Sequence, residues 1–248
     1  MPTLLLQCVA PLQAWGTQSN FNVRDTGREP SKSGIVGLLC AALGRPRTDT
    51  DITRVLDSLI MGVRVDREGQ VLRDFHTAGP GAADPYKGYL QADGQSVGKG
   101  TIISNRYYLT DAMFLVGLTG DEELLETLQN ALANPCWMLY LGRKACPPAR
   151  PVYLPDGWQD RSLVESLKGP DPYPWLGSSR VEHQRLERTQ HRLRMVIEDR
   201  EGSEMRKDSP LSFERDKRRF AYRRYKPDFL DEVPPFRLLF TRTRENIP

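Results

Sequence analysis

The sequence predicts an α+β fold: an antiparallel sheet backed by two helices, with a projecting arm and a smaller C-terminal module. Three observations carry this reading. Short apolar runs at residues 3–10, 59–65 and 112–118 have the length and composition of buried strands. Two helical segments, at about 33–43 and 121–133, fall between and after them. In chain order the elements run strand, helix, strand, arm, strand, helix, strand. That is the order of two split βαβ units, a ferredoxin-like plan shared by RNA-recognition (RRM-like) modules and by many unrelated enzymes.

Each element follows from its residues. The first strand is apolar and stops at Pro11, which has no N–H to continue a ladder. Residues 11–32 read as a polar loop punctuated by Gly16, Gly27 and Pro30, and loops of that length inside a compact domain tend to carry function. Ser31 or Ser33 caps the next helix, and Gly44 stands at its C-terminal end. Residues 52–59 add a helical turn or two. The strand LIMGVRV (59–65) joins another at 70–75 through the turn DREG. Residues 76–106 are rich in Gly and Pro, lack apolar periodicity and read as a projecting hairpin. AMFLVGL (112–118) restores strand character. Leu124, Leu125, Leu128 and Leu132 then form one stripe of an amphipathic helix with Glu122 and Glu123 in its first turn. Residues 137–141 form a last strand. After CPPARP (146–151) the texture becomes loop-like, with strand-like stretches at 192–199 and 236–241. The expected division is a domain of residues 1–150, its arm at about 76–106, and a smaller module of residues 151–248.

With 39% hydrophobic and 27% charged residues, the 248-residue chain is a soluble globular protein. No apolar run approaches the ~18 residues of a membrane span. Cys8, Cys40, Cys136 and Cys146 are scattered, without CxxC spacing or clustered histidines. No metal, cofactor or disulfide framework is expected, and a cytoplasmic location is. The net charge of +3 is small, but RKACPPAR (143–150) and RDKRRFAYRRYK (215–226) are strongly basic. Such stretches are either solvated faces or a match for a phosphate backbone, with interleaved rings to stack on bases.

The stretch TGREPSKSGIVGLLCAALG (26–44) approaches a phosphate-binding P-loop and fails as one. Ser31 stands where glycine must precede the lysine, and Pro30 removes a cradle N–H. A weaker anion site survives: a helix terminus with Arg24, Arg28, Lys32 and the hydroxyls of Ser31 and Ser33. The other reading is a capped helix beside solvated cations.

The strings PLQAWG (11–16), RDTGREPSKSG (24–34), RDFHT (73–77), YLTDAMFLVGL (108–118) and YLGRKACPPARP (140–151) appear in one order along the chain. In these motifs the sequence resembles the CasD family, the fifth Cas protein of type I-E CRISPR systems. The likeness spans roughly residues 4–151, with an Arg- and aromatic-rich segment near 218–225. It implies a ferredoxin-like fold of the RAMP superfamily with a protruding thumb. It also implies a non-catalytic subunit of the Cascade surveillance complex, a ribonucleoprotein of antiviral defence. Such a subunit grips the 5′ handle of the CRISPR RNA (crRNA) and caps the backbone filament. Its partners would be the crRNA, the backbone and large subunits, and target DNA through the complex, with no membrane. Carried over, the arm is the thumb. Arg24, Arg28, Ser31, Lys32, Ser33 and Gly34 face RNA from the loop and helix start. Arg73, His76, Lys87, Lys99, Arg106 and Tyr107 do so on or beside the thumb, with Arg143, Lys144, Arg219 and Arg223 beyond it.

Two other readings stay open. Some relatives cut precursor CRISPR RNA without metal, which needs a base for the 2′-OH and an acid for the leaving oxygen. His76, at the arm's root, is the candidate for such an endoribonuclease; the plainer role is a hydrogen-bonding pin. His183 and His191 read as surface residues. The third reading is a structural subunit that never touches RNA. Trp15 and Phe21 either stack on bases or anchor the loop, and Tyr86, Tyr89, Tyr107 and Tyr108 are further stacking candidates.

Overall fold

The computed structural model describes residues 1–17, 22–78, 89–90, 96–97, 102–189, 192–214 and 217–237. Its elements run β1 (Thr3–Val9), β2 (Leu12–Gln13), β3 (Val23–Arg24), α1 (Lys32–Ala42), α2 (Thr50–Asp57), β4 (Ile60–Arg67) and β5 (Gln70–Ala78). There follow β6 (Tyr89–Leu90), β7 (Ser96–Val97), β8 (Ile102–Thr110), β9 (Met113–Thr119), α3 (Glu122–Ala133) and β10 (Tyr153–Gln159). The last are α4 (Leu163–Lys168), α5 (Arg180–Thr189), β11 (Leu193–Glu198), β12 (Glu204–Ser212) and β13 (Arg219–Leu230).

One seven-stranded sheet dominates, in the order β10-β1-β9-β4-β11-β13-β12, and every neighbouring pair is antiparallel. Its first four strands carry the ferredoxin-like order: the fourth of the set lies beside the first, then the third, then the second. The strands after residue 150, expected in a separate module, extend this same sheet. β10 forms one edge, and β11, β13 and β12 add to the other side beyond β4.

The apolar runs are continuous because both faces of the sheet are covered. Leu4, Leu6 and Cys8 of β1 and Phe114, Val116 and Leu118 of β9 pack with Ile35 and Leu39 of α1 and Leu125 and Leu128 of α3. Leu5, Met113 and Leu115 point the other way, into a second cluster with Leu163 and Leu167 of α4, Tyr173, Trp175 and Leu176. Gly62 and Gly117 face each other across β4 and β9. A Cβ on Gly117 would stand 2.5 Å from a Leu163 methyl, so this glycine pair admits α4 against the sheet. On that face lies a fully buried ion pair. Arg64 donates to Asp66 at 2.7 Å and to the carbonyls of Leu167, Tyr173 and Pro174, while Asp66 accepts from the Leu176 amide. The pair ties β4 to the segment between α4 and α5.

A second sheet is built on β5 and β8, which flank the expected arm. β5 and β8 pair antiparallel along their full length, from Gln70–Thr110 to Ala78–Ile102. β2 and β3, inside what the sequence presents as loop, add to β8 on its other side. β5 thus runs from the strand expected at 70–75 into the start of the expected arm, whose residues 79–88, 91–95 and 98–101 lie outside the described residues. Of residues 79–101 only the short pair β6–β7 is described.

Two expectations are corrected here. Residues 137–141 are not a strand: the Cys136 and Trp137 amides donate to Ala42 and Ala41 carbonyls, turning this stretch along the end of α1. His183 is buried rather than on the surface. Its ring lies between Trp175 and Phe236, with Nε2 at 2.7 Å from the Pro234 carbonyl, and it anchors the segment after β13. His191 lies outside the described residues, as do Phe21 and Tyr86. Phe236 makes a single bridge with Trp175, and nothing beyond 237 is described. Among the described residues no helix is long and apolar enough to cross a membrane.

Candidate nucleic-acid interface

Ser31 caps α1 with extended backbone dihedrals, and its hydroxyl accepts from the Gly34 amide at 3.3 Å. Gly34 is a packing glycine, since a Cβ there would come within 2.8 Å of the Trp15 ring. Trp15 is itself buried and donates to Gln13 Oε1 at 3.0 Å, which makes it the loop's anchor rather than a base platform.

In front of this helix start opens a cleft of about 770 Å³. Six cations line it: Arg24 from β3, Arg45 and Arg47 after α1, Arg143 and Lys144 after α3, and Arg218 at the start of β13. Trp137, Tyr140, Phe213 and Phe220 supply rings, and Ser31 and Ser33 supply hydroxyls. Among the described residues no Asp or Glu side chain is part of the lining. In a protein of net charge +3, this concentrates positive potential in one concave surface. Desolvation, with the charges of Arg47 and Arg24, lowers the pKa of Arg218 below its ordinary value. The like charges of Arg47 and Arg24 thus bear on Arg218 within the cleft.

Such a cleft suits a single-stranded polyanion: cations for phosphates, with exposed rings for splayed bases. Trp137 is 47% exposed, which leaves its ring accessible in the cleft. A second cavity of about 470 Å³ lies between Arg28 and β11–β13 and is of mixed sign, with Glu29, Glu68 and Glu204 beside Arg194 and Arg206. Among the described residues, no three of His, Cys, Asp and Glu are gathered closely enough to hold a metal ion.

Comparison with known proteins decides the family. The family described as CRISPR-associated protein (Cas_Cas5) matches residues 3–226. The chain belongs to the Cas5 family. It is 37% identical over 163 residues to the CRISPR system Cascade subunit CasD of Escherichia coli (strain K12), covering 61% of this chain and 69% of that protein. A solved structure titled as a crystal structure of Cas protein superposes with a TM-score of 0.71 at 39% identity, over 94% of this chain and 98% of that one. A chain from a CRISPR RNA-guided surveillance complex gives 0.73 at 35% identity, over 94% and 91%. The motif resemblance and the α+β fold both hold.

The structure sorts the residues expected to face RNA. Arg24, Ser31, Ser33, Gly34, Arg143 and Lys144 come together in the cleft wall. Lys32 does not. It is buried, its Nζ at 2.7 Å from Glu198 and 3.7 Å from Asp57, its amide donating to Asp208. Arg223 is likewise buried against Asp208, and Arg28 borders the mixed-charge cavity instead. A contact role is corrected for Lys32 and Arg223, because carboxylates distant in sequence already neutralise both. Arg143 has its terminal donors on the carbonyls of Tyr107, Arg24 and Asp25 and stacks 4.9 Å from the Tyr108 ring, so it braces the wall.

Arg73, His76, Arg106 and Tyr107 lie on the arm's strands, outside the cleft lining. Arg73 donates to Asn105, Arg106 to Ser104, and His76 stands 3.7 Å from Asp74. Arg219 is exposed at the start of β13. Lys87 and Lys99 lie outside the described residues. Sequence reasoning missed Arg45, Arg47, Trp137, Phe213 and Phe220. The signal was present in RPR (45–47), two cations just past a helix end.

Proposed function

We propose that this protein is a non-catalytic subunit of a type I-E Cascade surveillance complex. It holds the 5′ handle of the crRNA in the cleft and caps the backbone filament for RNA-guided DNA interference in the cytoplasm. The single observation that carries this is a concave surface at the start of α1 that, among the described residues, has six cations, four aromatic rings and no carboxylate. Phosphate contacts position the strand, and the rings take splayed bases. The relatives support the setting: one is a Cascade subunit by name, and another comes from an RNA-guided surveillance complex. Backbone and large subunits, and target DNA through them, are the partners this reading assigns, with no cofactor. His76, the general base that a nuclease would need, sits on β5 against Asp74 rather than in the cleft. That favours holding over cutting.

The test is binding of guide RNA with its repeat-derived 5′ end across a salt series, with chelator present. Arg45→Glu and Arg47→Glu together should weaken binding and flatten the salt dependence by about 0.7 for each phosphate left without its cation. The RNA should stay intact. Unchanged affinity and slope would remove the cleft from the site, and cleavage abolished by His76→Ala would replace the clamp with an endoribonuclease.

A further inference from the structure

We propose that Lys32, Asp208 and Arg223 are positioning residues for RNA: they clamp the β12–β13 hairpin onto the start of α1, so that its end forms one wall of the cleft. The inference rests on the cleft being the RNA site. It gives the two buried cations that never reach solvent a role in binding.

Among the described residues β12 is the free edge of the seven-stranded sheet, and β11 pairs with β13 only between Tyr225 and Leu230, so no third strand holds the far end of the hairpin. Yet its end carries Phe213, Arg218 and Phe220, which line the cleft opposite Trp137 and Lys144. Phe213 and Phe220 meet edge to face at 6.4 Å, and Phe213 reaches across α1 to within 3.9 Å of a Cβ built on Gly37. The wall facing it is cationic. Arg218 lies close enough to Arg47 and Arg24 for their charges to lower its pKa, after the effect of desolvation. Like charges on the two sides of the cleft oppose the approach of the hairpin end.

What holds the hairpin end in place is a buried polar junction behind the wall. Asp208 accepts from the Lys32 amide at 2.9 Å and from Arg223 at 2.7 and 3.0 Å, joining β12, β13 and α1 at one carboxylate. Lys32 Nζ bonds both oxygens of Glu198 on β11, at 2.7 and 2.9 Å. Ser209 donates to Asp57 of α2 at 2.6 Å. Replacing such a network with apolar residues is often neutral for stability, so its distinctive contribution is one defined geometry. Here that geometry fixes the far end of the hairpin, beyond its pairing with β11, against α1.

The experiment is a double-mutant cycle on the full chain, read by the affinity for fluorescent single-stranded guide RNA with its repeat-derived 5′ end. Asp208→Asn keeps the shape and removes the charge. It should weaken binding about tenfold in the wild-type background, but less than about twofold once Arg218→Ala and Phe220→Ala have removed what it positions. An equal loss in both backgrounds, or no loss in either, overturns the proposal. If Asp208→Asn fails to fold by circular dichroism, Ser209→Ala replaces it, with about a threefold loss and the same non-additivity expected. If Arg45→Glu and Arg47→Glu leave affinity unchanged, the RNA site itself is elsewhere. If they weaken it while Asp208→Asn does not, only the clamp fails.

Discussion

Glu29 and Arg194 meet at 2.6 Å across 165 residues of chain, with the carboxylate almost fully buried. Arg206 holds its other oxygen. Burial alone would raise the Glu29 pKa, but the charges and hydrogen bonds of Arg206 and Arg194 outweigh it and hold the group below its ordinary value of 4.5. The folded pKa is the lower one, so the stabilisation is present above the unfolded value and is lost as pH falls through the folded one. Urea midpoints should fall with pH below about 4.5 in the wild type, and less steeply in Glu29→Gln. Parallel curves would remove Glu29 as a source of acid lability.

Arg64→Met should destabilise the fold by about 3–5 kcal/mol, because it strands the Asp66 charge in a dry interior. Equilibrium denaturation measures this directly. A loss below about 1 kcal/mol, the scale of an exposed pair, would mean that Asp66 finds water or another cation.

Gly117→Ala tests the approach of α4. The added methyl meets Leu163, so a cost of about 1–3 kcal/mol is expected, and Leu163→Ala in the same chain should recover part of it. Failure of Leu163→Ala to relieve the cost would place the strain elsewhere.

The cysteines should separate by burial. Burial pushes the Cys8 thiol up to about 12 and that of Cys40 up to about 11, so both stay neutral and shielded near pH 8. Cys136 is exposed. A thiol reagent at that pH should modify Cys136 rapidly in the folded protein and the buried thiols only after unfolding. Fast native reaction at Cys8 would contradict the packing of β1.

Much of the fold was legible, for reasons that differ by element. β1 and β9 announce themselves because both of their faces are buried, and α3 because its leucines keep one stripe. The strand misread at 137–141 is apolar for another reason: Trp137 and Met138 line a cleft. β12 and β13 stayed hidden because EMRKDSPLS and RFAYRRYKPDFL lack a clean apolar alternation at the sheet's edge. The site shows the same limit. Arg24 and Lys144 were readable as basic residues in loops. Lys32 and Arg223 carry the same signal, yet Glu198 and Asp208, the carboxylates that bury them, stand next to each only in three dimensions.

The most direct measurement is photocrosslinking of guide RNA to the full chain, with the modified residues mapped by mass spectrometry. Adducts are expected at Trp137, Tyr140, Phe213 and Phe220, and should vanish when Arg45 and Arg47 are reversed in charge. Adducts confined to the arm strands or to the face around Trp175, with all four cleft rings unmodified, would contradict RNA binding in this cleft.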